Sequence, residues 1–160
     1  MPVYYLDTSV LVKYYVTEPG STWVRQLVDE EENILVSAEI TIAEISAALA
    51  VIARIGRTSP RQRDEFWMKF KRDLSRRYEL LPTQRTIINH AAELCQQHPL
   101  RGFDAVHLAS GLRLRETLAR QTEEAAVIYL AGDDSLVTAA QAEGLMVDNP
   151  LWHTEVGGAQ

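Results

Sequence analysis

The sequence predicts a three-layer α/β domain on a mainly parallel sheet. Two observations carry this. Short runs of β-branched and large apolar residues alternate with longer stretches of helical periodicity. The short runs are also apolar on both faces, as expected of strands covered by helices on two sides.

The strands fall at residues 3–6, 34–36, 78–81, 126–130 and 145–147. Helices lie between them. Residues 83–97 place Ile87, Ala91, Leu94 and Cys95 on one stripe. Residues 104–119 do the same with Ala105, Leu108, Ala109 and Leu112. Residues 40–55 are apolar nearly all round, the mark of a buried helix. A charged helix over 60–77 opens at Pro60, which suits a first helical turn. A short helix over 134–143 ends before Gly144, a natural C′ residue. Residues 1–150 make one domain, and 151–160 a tail that is loose at its "VGGA" end.

At 160 residues the chain is long enough for a proper core. Its hydrophobic content of 46% and charged content of 24% are those of a soluble globular protein. One cysteine, Cys95, allows no internal disulfide. No basic region followed by a long apolar run marks a signal peptide, and no apolar stretch reaches the roughly 18 residues of a membrane span. A cytoplasmic, non-membrane protein is expected. The net charge of −6 divides unevenly, with +6 on residues 54–85 and −12 on the rest. The basic block reads as a solvated helix face or as a phosphate-binding surface.

In parallel sheets ligands bind beyond the carboxyl ends of the strands. Asp7 directly follows the first strand, and Asp133 follows the fourth after "AG". Glu44 and Asp104 stand near the starts of helices. Clustered carboxylates repel unless a cation compensates. A site with these acids, no cysteine and little histidine suits Mg²⁺ or Mn²⁺ better than Zn²⁺. Each acid has a plainer reading. Asp7, Thr8 or Ser9 caps a helix; "TIAE" is a capping box from Thr41 to Glu44; Asp104 favours a helix N-terminus; Asp133 or Asp134 caps the last helix. His107 reads as a helix residue with a local hydrogen bond, or as a partner of the acids.

Four stretches together resemble the PIN domain and, within it, VapC-type toxins of toxin–antitoxin pairs. They are "YYLDTSVLVKYY", "SAEITIAEISAAL", "GFDAVHLASGLRL" and "YLAGDDSLVTAAQAEGLMVDNP", in order over residues 3–150. The resemblance implies a five-stranded parallel sheet of order 3-2-1-4-5. It implies a Mg²⁺- or Mn²⁺-dependent endoribonuclease that hydrolyses RNA phosphodiesters with a metal-activated water. It maps the catalytic acids onto Asp7, Glu44, Asp104 and Asp133. Asp7, Asp104 and Asp133 would be the metal ligands, and Thr8 and Ser9 supporting hydroxyls. Leu136, three residues on, favours Asp133 over Asp134. Expected partners are RNA, a small antitoxin protein and a second copy of the chain in a homodimer. One departure stands out: Ala131 replaces a hydroxyl residue common in the family. A non-catalytic binding module and an RNA-processing nuclease without antitoxin are the alternative readings.

Overall fold

The structure is a computed structural model and describes residues 1–122 and 126–154. The elements run β1 (Val3–Leu6), α1 (Thr8–Tyr15), α2 (Ser21–Asp29), β2 (Ile34–Ala38), α3 (Thr41–Arg54), α4 (Pro60–Asp73), β3 (Tyr78–Leu81), α5 (Arg85–Gln97), α6 (Gly102–Gln121), β4 (Val127–Leu130), α7 (Asp134–Ala142) and β5 (Met146–Asp148). A 3₁₀ turn, Pro150–His153, follows. The five strands form one parallel sheet of order β3-β2-β1-β4-β5, as expected.

The pleat sends alternate side chains to opposite faces. Val3 and Tyr5 of β1 join Val36, Tyr129 and the apolar stripes of α5, α6 and α7 in one core layer. Leu6 joins Leu35, Leu130 and the apolar faces of α1 to α4 in the other. Each layer is closed by helices, which explains strands that are apolar throughout. β1 is central, between β2 and β4, so its carboxyl end is flanked on both sides.

Several expected bounds move. β2 runs two residues further, to Ala38, because Ser37 and Ala38 continue the ladder with β3. β4 begins at Val127 and β5 at Met146, each one residue later than expected. The basic helix stops at Asp73 instead of 77. The Asp73 carbonyl accepts from both Arg76 and Arg77 N–H in a turn that leads into β3. The helical stretch between β1 and β2, expected without bounds, divides into α1 and α2, and α2 buries Val24, Leu27 and Val28 at helical spacing. Gly144 takes the expected C′ role with a left-handed φ of 80°.

α4 opens with a full capping box between Ser59 and Gln62. It packs Phe66, Trp67 and Phe70 inward and leaves Arg61, Lys71 and Arg72 exposed. After the sheet, the chain returns to α2, where His153 stacks on Trp23 with ring centroids 4.1 Å apart. The end of the expected loose tail, 155–160, lies outside the described residues.

Candidate active site

The carboxyl ends of β1 and β4 are tied together. The Asp7 N–H donates to the Leu130 carbonyl over 2.9 Å. Asp7 then caps α1 by accepting from the Ser9 N–H at 3.1 Å. The cap reading and the site reading of Asp7 therefore describe the same side chain. It is 5% exposed. The Ser9 hydroxyl donates to the same Asp7 oxygen, Oδ2. In turn it accepts from the Gly132 N–H at 2.9 Å. Ser9 thus supplies a hydroxyl next to Ala131, where the sequence lacks one.

Asp133 caps α7, its Oδ1 accepting from the Leu136 N–H at 3.0 Å. That settles the choice of cap between Asp133 and Asp134. Asp104 occupies the first turn of α6 and is half-buried. Burial pushes its carboxyl above the usual range, and the charges of Asp7 and Asp133 push it further. Arg101 and His107 work in the opposite direction without cancelling them. The three aspartates therefore share one electrostatic field, although they come from β1, β4 and α6.

Glu44 corrects a second local reading. The Thr41–Glu44 capping box does not form: the N-cap of α3 is Ile40, which makes no side-chain cap. Thr41 instead meets the Thr8 hydroxyl at 2.9 Å. Glu44 Oε1 accepts from the Thr8 hydroxyl at 2.9 Å and from His107 Nε2 at 2.6 Å. Burial raises the Glu44 carboxyl, but the His107 and Thr8 hydrogen bonds outweigh it and hold the group below its usual value.

His107 is fully buried, and its partners are remote in sequence. Nδ1 meets the Tyr5 hydroxyl at 2.9 Å, while Nε2 meets Glu44 and stands 3.8 Å from Asp7 Oδ1. Burial alone would lower its pKa. Asp7, Glu44 and Asp104 together raise it. The expectation of a merely local hydrogen bond is thus overturned. The readable signal was a histidine one helical turn after Asp104, on the same face.

All six expected residues gather at one sheet edge, in two adjoining groups. Asp7 and Ser9 at the end of β1 are joined to Gly132, next to Asp133, at the end of β4, and the charges of Asp7 and Asp133 reach Asp104. Thr8 and Glu44, with Thr41 and His107, form a hydrogen-bonded cluster at their side. Among the described residues, no three carboxylate, imidazole or thiol groups are close enough to enclose a metal ion unaided. Lys13, one turn after Ser9, is buried and paired with Glu18 at 3.2 Å.

Comparison with known proteins agrees with this architecture. The family model described as PIN domain matches residues 4–136. Two proteins of Mycobacterium tuberculosis, Ribonuclease VapC45 (strain CDC 1551 / Oshkosh) and Ribonuclease VapC49 (strain ATCC 25618 / H37Rv), are each 34% identical over 154 residues. Each match covers 92% of this chain and 95% of the relative. Among solved structures, VapBC2 from Rickettsia felis, bound to a promoter DNA fragment, aligns with a TM-score of 0.58 at 14% identity, covering 92% of this chain and 98% of that one. FitAcB from Neisseria gonorrhoeae aligns with a TM-score of 0.59 at 17% identity, covering 94% and 99%. The solved structures share the fold, and the sequence relatives carry the likeness along almost their whole length. The chain belongs to the PIN domain family.

Proposed function

We propose that this chain is a divalent-cation-dependent endoribonuclease, the toxin of a toxin–antitoxin pair. The observation that carries the reading is the pairing of the β1 and β4 ends through Ser9 and Gly132, which sets Asp7 beside the Asp133 turn, with the charges of both aspartates raising the half-buried Asp104 carboxyl. Such a cluster costs folding energy, and a divalent cation offsets that cost. Relatives named as ribonucleases, a third identical along the chain, support the choice of RNA. The VapBC2 assembly of like fold supports a small antitoxin partner.

The donor set fits Mg²⁺ or Mn²⁺. It contains only hard oxygens. Mg²⁺ keeps several waters and needs only one or two carboxylates. Asp7, Asp104 and Asp133 would hold the cation, Asp7 and Asp133 through the oxygens that Ser9 and Leu136 leave free. When bound, the cation supplies Lewis acidity toward water and phosphate oxygen. The chain's own groups do the rest. Ser9 and the Gly132 N–H fix the rotamer of Asp7. Glu44, held on Oε1, would orient an attacking water with its other oxygen. The reaction is hydrolysis of an RNA phosphodiester. A homodimer is the form proposed for the free toxin.

The test is incubation of the purified protein with a panel of structured RNAs, with Mg²⁺, with Mn²⁺ and with EDTA. Cleavage that needs the cation supports the reading. A well-folded protein that cleaves no RNA under any of these conditions refutes it.

A further inference from the structure

Glu44 is held from behind by a chain of buried groups that the reading above leaves without a task. Nε2 of His107 lies 2.6 Å from Glu44 Oε1, and Nδ1 lies 2.9 Å from the Tyr5 hydroxyl. Three carboxylates hold a proton on this ring, so the tautomer is that of the ring at a pH where it is neutral, with one N–H donor and one acceptor. A carboxylate oxygen that already accepts from Thr8 needs a donor at Nε2 for so short a contact. Nδ1 is then the acceptor, and the Tyr5 hydroxyl donates to it. Hydrogen bonding on one ring nitrogen thereby decides the proton on the other.

Tyr5 is itself fixed. Its ring stacks on Tyr129 with centroids 5.1 Å apart and planes 3° from parallel. Both rings are fully buried. Tyr129 lies against Gly111 of α6, where an added Cβ would stand 2.7 Å from its Cδ2. α6 carries both Gly111 and His107, so the ring stack and the imidazole share one support. On the outer side, the Thr41 hydroxyl meets that of Thr8, which donates to Glu44 Oε1.

We infer that His107 is a positioning residue, locked as the Nε2–H donor by Tyr5, and that this lock holds Glu44 Oε1 so that only its second oxygen serves the reaction. The catalytic consequence rests on the nuclease reading; the tautomer does not. A loosened Glu44 still leaves the RNA-binding surface intact, so the loss falls on kcat and leaves KM unchanged. Partners that orient a catalytic carboxylate are typically worth about 10- to 100-fold.

The experiment uses the full chain and the variants Tyr5→Phe, His107→Ala and His107→Gln. ¹⁵N NMR of the imidazole without cation or RNA, followed upward in pH until the ring is neutral, reads the tautomer. Thermal melting reads folding, and kcat and KM on one cleaved RNA read the effect. The expected results are an Nε2–H tautomer in the parent chain and a mixed population in Tyr5→Phe. Cleavage by Tyr5→Phe falls about 10-fold in kcat, and that by His107→Ala about 100-fold, each at constant KM. His107→Gln keeps an N–H near the Nε2 position and recovers part of the loss. An Nδ1–H tautomer in the parent chain overturns the inference. So does parent-like kcat in a folded Tyr5→Phe, or a loss in every variant that tracks only the unfolded fraction. A parent chain with the expected tautomer that cleaves no RNA refutes the nuclease reading instead.

Discussion

Ser9 and Gly132 meet at 2.9 Å, the glycine N–H donating to the serine hydroxyl, which in turn donates a hydrogen bond to Asp7. The contact spans 123 residues of sequence and links the ends of two adjacent strands. It also answers the departure at Ala131. A hydroxyl missing from the β4 end is supplied from the β1 end.

Ser9→Ala removes that link but not the backbone cap of Asp7. The Gly132 N–H loses its partner, at about 1–2 kcal/mol of stability. Asp7 loses one of the two groups that set its rotamer. RNA cleavage should fall about 10-fold. Cleavage by Ser9→Thr, which keeps the hydroxyl, should stay closer to the parent. Equal losses in both variants would mean that shape, not the hydroxyl, matters.

Asp7→Asn keeps the shape of the side chain and its cap to the Ser9 N–H. It removes the charge that the proposed cation would meet. Cleavage should fall about 100-fold or more, while circular dichroism and melting stay near the parent's. Undiminished cleavage by a folded Asp7→Asn protein would place the reaction elsewhere.

Asp104→Asn separates cation binding from activity. Without cation, the variant loses the burial penalty on the charge and a repulsion with Asp7 and Asp133, so it should melt slightly higher. With cation the order reverses. A ligand at one hundred times its Kd stabilises by about 2.7 kcal/mol, and EDTA removes the gain. The parent should show that rise with Mn²⁺ and Asp104→Asn should show much less. An equal rise in both would exclude Asp104 from the cation site.

The strands and the layered class were legible because the strands are apolar throughout, whereas the sheet order and the four candidate acids came from the resemblance of four motifs to the PIN family. What stayed hidden has a physical cause in each case. His107 reaches Glu44 and Tyr5 over 63 and 102 residues, distances that no local pattern encodes. Glu44 matched a capping box by spacing, but the pull of His107 and Thr8 turned it toward the sheet edge. α2 was readable from Val24, Leu27 and Val28, yet it is only nine residues long and gives a short periodic signal. Asp7 and Asp133 show that a cap and a site residue need not be alternatives. A carboxylate has two oxygens, and a cap uses only one of them.

Gly111→Ala tests the support beneath the site. Alanine is the better helix former by about 1 kcal/mol. Here its Cβ would stand 2.7 and 2.8 Å from two atoms of the Tyr129 ring. That ring cannot yield freely, being buried and stacked on Tyr5. Overpacking of this kind costs about 1–3 kcal/mol, so net destabilisation is expected by chemical denaturation. A variant more stable than the parent would show that the stack adapts.

The tyrosines set an alkaline limit on the fold. Burial pushes Tyr5, Tyr15, Tyr78 and Tyr129 above their usual value, and burial together with the Asp29 hydrogen bond pushes Tyr14 up to about 12. A raised pKa means that the folded chain holds the proton more tightly. Its contribution is complete below the unfolded value near 10 and is lost as the pH climbs to the folded value. Each such tyrosine steepens the loss by about 1.4 kcal/mol per pH unit above 10. Tyr14→Phe isolates one of them. At pH 7 it loses the hydroxyl's bond to Asp29, which lies at 2.8 Å, and about 1 kcal/mol with it. Above pH 10 it no longer has that proton to lose, so its stability falls less steeply. The two urea-unfolding curves against pH should therefore converge within about one unit above 10. Parallel curves up to pH 12 would show that Tyr14 ionises as freely in the folded chain as in the unfolded one.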